Sequence, residues 1–153
     1  MRTVTEGGAP KGTNQSGMRA HNERLVLSLV RRHAALAKTD IARMAGLSAQ
    51  TVSVIMRALE GDGLLLRGDP VRGRVGQPSV PMSLAPEGAF FFGLKVGRRS
   101  ADLILVDFLG QVRAARRQVY RYPTPDAVTG FVAAALPELE ATLPKALRGR
   151  IMG

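Results

Sequence analysis

The fold of the first half of the chain is determined by residues 38–59, KTDIARMAGLSAQTVSVIMRAL. Counted from Lys38 as position one, apolar residues fall at positions 4, 8, 10, 15 and 18, a small residue at 5 and glycine at 9. In that order they are Ile41, Ala45, Leu47, Val52 and Ile55, then Ala42 and Gly46. The small residue lets two helices cross closely, and glycine adopts the left-handed backbone that a tight turn between them requires. This spacing predicts a helix-turn-helix.

Signals at the ends of the apolar patterns predict three helices. The first starts near Met18 and carries one apolar stripe, which consists of Leu25, Val26, Leu29 and Val30. The second is predicted over Lys38–Ala45, because Gly46 can close it as a C-terminal cap. Ser48 can cap a third helix that runs to about Gly61. The inward face of that helix is predicted to be Val52, Ile55, Met56 and Leu59.

A long loop rich in glycine and arginine follows the third helix. Residues 64–67 predict a strand and residues 79–84 its return, with GDPVRGRVGQP at residues 68–78 between them. A loop of this length indicates a function or disorder. Beside a helix-turn-helix it fits the wing of a winged helix, where Arg72 and Arg74 would reach DNA phosphates or an adjacent minor groove. A solvated, flexible loop is the alternative.

The outward residues of the third helix are the predicted DNA contacts, because the N-terminal part of a recognition helix faces base edges in the major groove. They are Ser48, Ala49, Gln50, Thr51, Ser53 and Arg57, joined by Arg72 and Arg74 of the loop. Gln50 can pair with an adenine edge, and Arg57 is the predicted phosphate contact. Thr51 and Ser53 can bond bases or phosphates, although a merely solvated hydroxyl is the alternative for each.

Composition favours an anionic partner and excludes several protein classes. The 153 residues contain 22 Lys+Arg and 12 Asp+Glu, a formal charge of +10. Contacts from these cations to phosphates release counterions, although a solvated basic surface would carry the same charge. The absence of cysteine excludes a disulfide scaffold, a thiolate metal site and a cysteine nucleophile. No apolar run approaches the roughly 18–20 residues of a membrane span, so a cytoplasmic protein is expected.

A second unit is predicted after the break at Pro86-Glu87-Gly88. Apolar runs at residues 89–96, 101–107 and 111–120, joined by short turns, predict a three-stranded antiparallel meander. Thr124 begins a helix that Pro137 is expected to kink or divide, and Ile151–Gly153 predicts the opening of a further strand. Residues 1–17 have no apolar periodicity and predict a disordered leader.

Three segments in this order resemble a known family: GLSAQTVSVIMRALEGDGLL (46–65), GRVGQPSVPMSL (73–84) and FFGLKVGRRSADLILVDFLGQV (91–112). Over residues 18–153 the chain resembles transcriptional regulators of the ROK family (repressor, open reading frame, kinase). The resemblance implies an α+β protein, with a winged helix-turn-helix over residues 18–86. It implies that residues 87–153 are the truncated start of an actin-like (sugar-kinase/RNase H-like) α/β sensor domain, incomplete in this chain.

The same resemblance implies a sequence-specific regulator of carbohydrate-related genes that binds double-stranded operator DNA, most simply as a repressor. For a full-length protein it implies a carbohydrate effector and a homodimer. Binding of the sugar would then shift the population of dimers that are competent to bind DNA.

The family's sugar kinases are similar in the second unit, but their nucleotide motif is altered here. Those kinases carry Gly-x-Asp-x-Gly-Gly-Thr in the first hairpin, and the matching residues 93–99 are GLKVGRR. Lys95 replaces the acid that works with the magnesium nucleotide, and Arg98 and Arg99 replace the second glycine and the threonine. No catalysis and no cofactor are therefore expected. No metal site is expected either, because the two histidines, His21 and His33, have no cysteine that could complete a set of metal ligands with them. A fragment of a ROK-type sugar kinase and a winged helix that binds protein are the alternatives.

Overall fold

The structure, a computed structural model, describes residues 13–71 and 79–152, without the side chains of residues 13–15. The first unit contains α1 (Thr13–His33), β1 (Ala35–Ala37), α2 (Lys38–Ala45), α3 (Ala49–Gly61), β2 (Leu65–Arg67) and β3 (Pro81–Leu84). The second contains a 3-10 turn (Pro86–Gly88), β4 (Phe90–Val96), β5 (Ser100–Asp107), β6 (Val112–Val119), α4 (Pro125–Ala141) and α5 (Lys145–Arg148). Within the described ranges, no helix combines the length and apolar character needed to cross a membrane.

The first unit is built as the spacing of residues 38–59 predicts. Helix α2 has the predicted limits, and Gly46 closes it in the left-handed conformation with a φ of 66°. The predicted inward face of α3 is buried, and it packs into one core with α1, α2 and the small sheet. The core consists of Val26, Val30, Ile41, Val52, Ile55, Met56, Leu59, Leu65, Met82 and Leu84. The predicted helix-turn-helix is therefore confirmed.

A third strand, β1, lies where the sequence predicted only a link between two helices. The sheet has the order β1-β3-β2, and β3 pairs antiparallel with both neighbours, with Ala35 opposite Ser83 and Leu65 opposite Leu84. Ala34 has a φ of 64°, which turns the chain from α1 into β1. Three extended residues form a strand here because β3 offers them hydrogen-bond partners.

Helix α1 begins earlier than predicted. It starts at Thr13, so residues 13–17 belong to a helix and not to the predicted disordered leader, while residues 1–12 lie outside the described residues. A lone glycine, Gly17, is tolerated inside a helix at a cost of about 1 kcal/mol. An ion pair of 2.8 Å between Arg19 Nε and Glu23 Oε1 stabilises the same segment at the favourable i,i+4 spacing.

The second unit is the predicted antiparallel meander with a helix on one face. The sheet order is β4-β5-β6, and the residues of β5 alternate between buried and half-buried positions. Helix α4 covers the buried face, and the shared core consists of Phe90, Leu103, Leu105, Ala135, Leu139 and Leu143. Ile151 forms a parallel bridge with Phe90, where the sequence predicted the opening of a further strand.

Pro137 does not divide α4, contrary to expectation. The helix continues through it from Pro125 to Ala141. Proline removes the hydrogen bond to the carbonyl four residues earlier, on Ala133. Both residues are exposed, so water can replace the missing donor. At the other end of the helix, the predicted cap is confirmed, because Thr124 Oγ1 accepts a 3.2 Å bond from the N–H of Ala127.

Candidate nucleic-acid interface

One ridge of α3 projects into solvent on the side opposite the core. It consists of Gln50, Val54 and Arg57, spaced i, i+4 and i+7, and we call it the α3 ridge. Val54 is 55% exposed, whereas Val52, Ile55 and Met56 on the other face of the same helix are buried. In the described part of the chain, no hydrogen bond or ion pair engages Gln50 or Arg57. The two side chains are free to bind a ligand.

The predicted hydroxyl contacts are already bonded within the helix. Ser48 Oγ accepts a 3.0 Å bond from the N–H of Thr51 and lies 2.8 Å from Thr51 Oγ1. Ser53 Oγ donates a 2.7 Å bond to the carbonyl of Ala49. Ser48 is thus the N-cap that the sequence predicted. These hydroxyls fix the first turn of α3, and their remaining lone pairs can accept from a further donor.

A groove of about 490 Å³ runs beside α3, between the start of α2 and the small sheet. Ser53 and Arg57 line it from α3, Lys38 and Thr39 from the start of α2, and Arg67 from β2. The N-terminus of α2 carries unpaired N–H groups and a partial positive charge, which favour an anion. Lys38 adds a full charge at that end, and the sequence analysis missed it as a candidate contact.

A bidentate ion pair neutralises one of the cations in this groove. Arg67 donates from Nη2 to Glu60 Oε2 at 2.8 Å and from Nε to Glu60 Oε1. The hydrogen bond from Arg67 holds the pKa of Glu60 below its ordinary value of 4.5. The hydrogen bond to Glu60 likewise raises the pKa of Arg67 above its ordinary value. The uncompensated positive charge of the groove therefore comes from Lys38 and Arg57.

The base of the predicted wing is a short antiparallel contact. Val71 donates to the carbonyl of Ser79 at 2.8 Å, and Ser79 donates back at 3.1 Å. The two predicted wing contacts, Arg72 and Arg74, lie outside the described residues. The two described residues on either side of this gap, Val71 and Ser79, therefore lie side by side.

Three arginines of β6 are paired within the second unit and do not form one basic face. Arg113 Nη1 lies 3.2 Å from Asp107 Oδ2, Arg116 pairs with Glu138 of α4 at 2.8 Å, and Arg117 pairs with Asp102 of β5 at 2.9 Å. Arg116 and Arg117 are successive strand residues and lie on opposite faces of the sheet. Among the described residues, no group of three or more acidic or histidine side chains lies close enough together to hold a metal ion.

Comparison with known proteins supports this geometry. Residues 19–65 match the protein family described as "Winged helix-turn-helix DNA-binding". The first unit is a winged helix-turn-helix. The matched range includes all of α2 and α3 and ends at the first residue of β2. The α3 ridge therefore lies within a DNA-binding domain.

Two longer proteins resemble most of the chain. The uncharacterized protein y4fQ of Sinorhizobium fredii (strain NBRC 101917 / NGR234) is 25% identical over 122 residues, which are 80% of this chain and 31% of that protein. A crystal structure of a ROK family transcriptional regulator, a homolog of the E. coli MLC protein, matches 82% of this chain and 32% of its own at 19% identity, with a TM-score of 0.61. This chain spans about a third of the length of each. The structural likeness confirms the expected α+β class, in which a winged helix-turn-helix is followed by an antiparallel sheet and helices.

Proposed function

We propose that this protein is a sequence-specific transcriptional regulator whose α3 enters the major groove of double-stranded DNA. The α3 ridge carries the proposal: it is an unpaired amide, an exposed apolar side chain and an unpaired cation on a helix whose other face is buried. Ser48 caps this helix, and the core of the first unit holds it rigidly. A rigid helix with such a ridge is what reading base edges requires.

The chemistry of each ridge residue suggests its partner. The amide of Gln50 can make the bidentate pair with the N6 and N7 atoms of adenine, and the Val54 side chain can contact a thymine methyl group. Arg57 and Lys38, on either side of the groove, would bind phosphate oxygens and set the position of the helix. The proposal also assigns Arg72 and Arg74 to the backbone or to an adjacent minor groove.

The finer proposal is repression of carbohydrate-related genes by a ROK-like protein. We divide the chain into a DNA-binding unit that ends near residue 86 and a second unit over residues 87–153. The fold shared with a ROK regulator over 82% of this chain supports this division. A carbohydrate effector and a homodimer belong to the proposal for the whole protein, in which two recognition helices would meet the two halves of a palindrome.

We also propose that the second unit has no kinase activity. Lys95 lies on β4 opposite Asp102 of β5, and Asp102 is itself paired with Arg117. A lysine cannot bind the magnesium ion that a nucleotide-dependent kinase needs at this place. Sugar phosphorylation by the chain in the presence of ATP and magnesium would overturn this point.

Selection from a pool of random double-stranded DNA tests the proposal. The chain should enrich one sequence, and Gln50→Ala should weaken binding to that sequence by about 5- to 150-fold, the value of a bidentate base contact. Binding to an unrelated duplex should change little. Gln111→Ala is the matched control, because Gln111 is an exposed glutamine on a turn of the second unit.

Two outcomes would contradict the proposal in different ways. If the pool shows no enrichment, the winged helix does not recognise a DNA sequence, and binding to protein becomes the better interpretation. If enrichment occurs but the ratio of specific to unrelated binding is the same for Gln50→Ala and the wild type, then Gln50 does not contact a base.

A further inference from the structure

One arginine joins the end of α3 to the second unit. Arg150 follows α5, and its Nη1 lies 3.2 Å from the carbonyl oxygen of Asp62, 3.4 Å from that of Gly63 and 3.3 Å from that of Gly88. Asp62 is the residue that ends α3, and Gly88 lies just before β4. A single guanidinium nitrogen therefore engages carbonyls from the end of the recognition helix and from the start of the second sheet.

The backbone around Arg150 is fixed to β4. The N–H of Phe90 donates to the carbonyl of Arg150 at 2.9 Å, and the N–H of Met152 donates to the carbonyl of Phe90 at 2.9 Å. Ile151 lies between them as the parallel partner of Phe90. The side chain thus extends from a framework of the second unit, and its positive charge lies at the C-terminal end of α3, where a helix favours a cation.

Two glycines allow this close approach. Gly63 has a φ of 73°, and a Cβ there would lie 2.8 Å from Nη2 of Arg150. A Cβ on Gly88 would lie 3.0 Å from the carbonyl oxygen of Gly63 and 3.2 Å from the Cα of Leu64, both of which are backbone atoms. Phe108, from the turn between β5 and β6, packs against the core of the first unit beside them. At Gly88 the second unit therefore lies against the backbone of the first, with no room for a side chain at that position.

We propose that Arg150 is a positioning residue that holds α3 and the second unit in one fixed relative orientation. A displacement of residues 149–152 along β4 would carry the guanidinium with it and pull on the end of α3. That such a pull would change DNA binding rests on the proposed function. The fixed orientation of the two units does not depend on it. The contact between the two units can be measured without DNA.

Distances between two spin labels test the proposal on the full chain. The sequence has no cysteine, so Met44→Cys on α2 and Val119→Cys at the end of β6 give a unique pair of labelling sites, which are 40% and 76% exposed. With Arg150 present, the distance distribution should have one narrow peak. With Arg150→Gln it should become at least about twice as wide, while circular dichroism shows that the helices remain.

The conservative variant separates positioning from a general loss of stability. All three contacts of Arg150 use one nitrogen, so the ammonium group of Arg150→Lys, which has three donors, should restore most of the narrow distribution. Arg148→Gln is the matched control. Arg148 also donates to carbonyls, those of Leu143 and Ala141 at 3.2 and 3.3 Å, but both lie within the second unit. This control should leave the distribution unchanged.

Gly88→Ala tests the same junction by adding a side-chain atom to the second unit. Its Cβ would press against backbone and force the units apart, so the distribution should widen although Arg150 is intact. An unchanged width for Arg150→Gln, or equal widening for Arg148→Gln, would overturn the proposal. Because these measurements use the free protein, their failure is distinct from a failure of the DNA selection, which would refute the proposed function alone.

Discussion

Replacing Arg57 by glutamine should change how DNA binding depends on salt. Arg57 is an exposed residue of the α3 ridge, and no acidic side chain in the described part of the chain pairs with it. Its full charge is therefore available to a phosphate. Arg67, in the same groove, is neutralised by Glu60 and should contribute much less. Glutamine keeps a good helix former at the position, so the stability of α3 should change little.

The size of the effect follows from counterion release. Each phosphate contact contributes about 0.9 to the slope of log K against log salt, so Arg57→Gln should make the slope shallower by about 0.9. Between about 50 and about 200 mM salt, this change alters the ratio of wild-type to variant affinity by about 3.5-fold. The loss of affinity should thus be greatest at low salt and should fall on specific and unrelated duplexes alike.

Fluorescence anisotropy titrations at several salt concentrations measure the slope. Arg116→Gln is the control, since it removes the same unit of charge from an arginine that is paired with Glu138 in the second unit. Its slope should match that of the wild type. An unchanged slope for Arg57→Gln would refute the phosphate contact, and an equal fall for Arg116→Gln would mean that the net charge of the protein acts, and not a local contact.

Three further changes test the fold. Ile41 is fully buried in the first core, so Ile41→Ala should lower the free energy of unfolding in urea by about 2–5 kcal/mol. Ala34 has a φ of 64°, so Ala34→Gly should raise the melting temperature, with a gain of at most about 1 kcal/mol after the entropy cost of glycine. The lowered pKa of Glu60 adds stability that is fully present above pH 4.5 and is lost as the pH falls through the lowered pKa. In Glu60→Gln, the free energy of unfolding should therefore fall less steeply as the pH is lowered below 4.5 than it does in the wild type. An unaltered pH dependence would mean that the ion pair with Arg67 adds no stability.

The sequence predicted best those features whose causes are local. The left-handed backbone at Gly46 and the cap at Ser48 each follow from one residue and its neighbours, and both are present. Strand β1 was missed because residues 35–37 are too short to show an alternating pattern. Lys38 was missed for a different reason: only the folded chain brings the start of α2 beside α3.

Contacts between distant parts of the chain were not predictable in the same way. The arginines of β6 are close together in the sequence, but the strand register places Arg117 opposite Asp102, and α4 brings Glu138 to Arg116. The contact between Arg150 and Asp62 joins residues 88 positions apart, and no pattern along the sequence indicates it. Spacing rules describe helices and turns, but they contain no information on which surfaces meet.

The junction at Gly63 and Gly88 has a consequence for cutting or exchanging the two units. A division at residue 86 separates Phe108 from the core of the first unit and Arg150 from the end of α3. The isolated first unit would expose the apolar surface that Phe108 covers and would lose the cation at the end of α3. A chimera that joins this winged helix to another protein therefore needs a phenylalanine and an arginine in equivalent places, and heating the intact chain should melt both units in one cooperative transition.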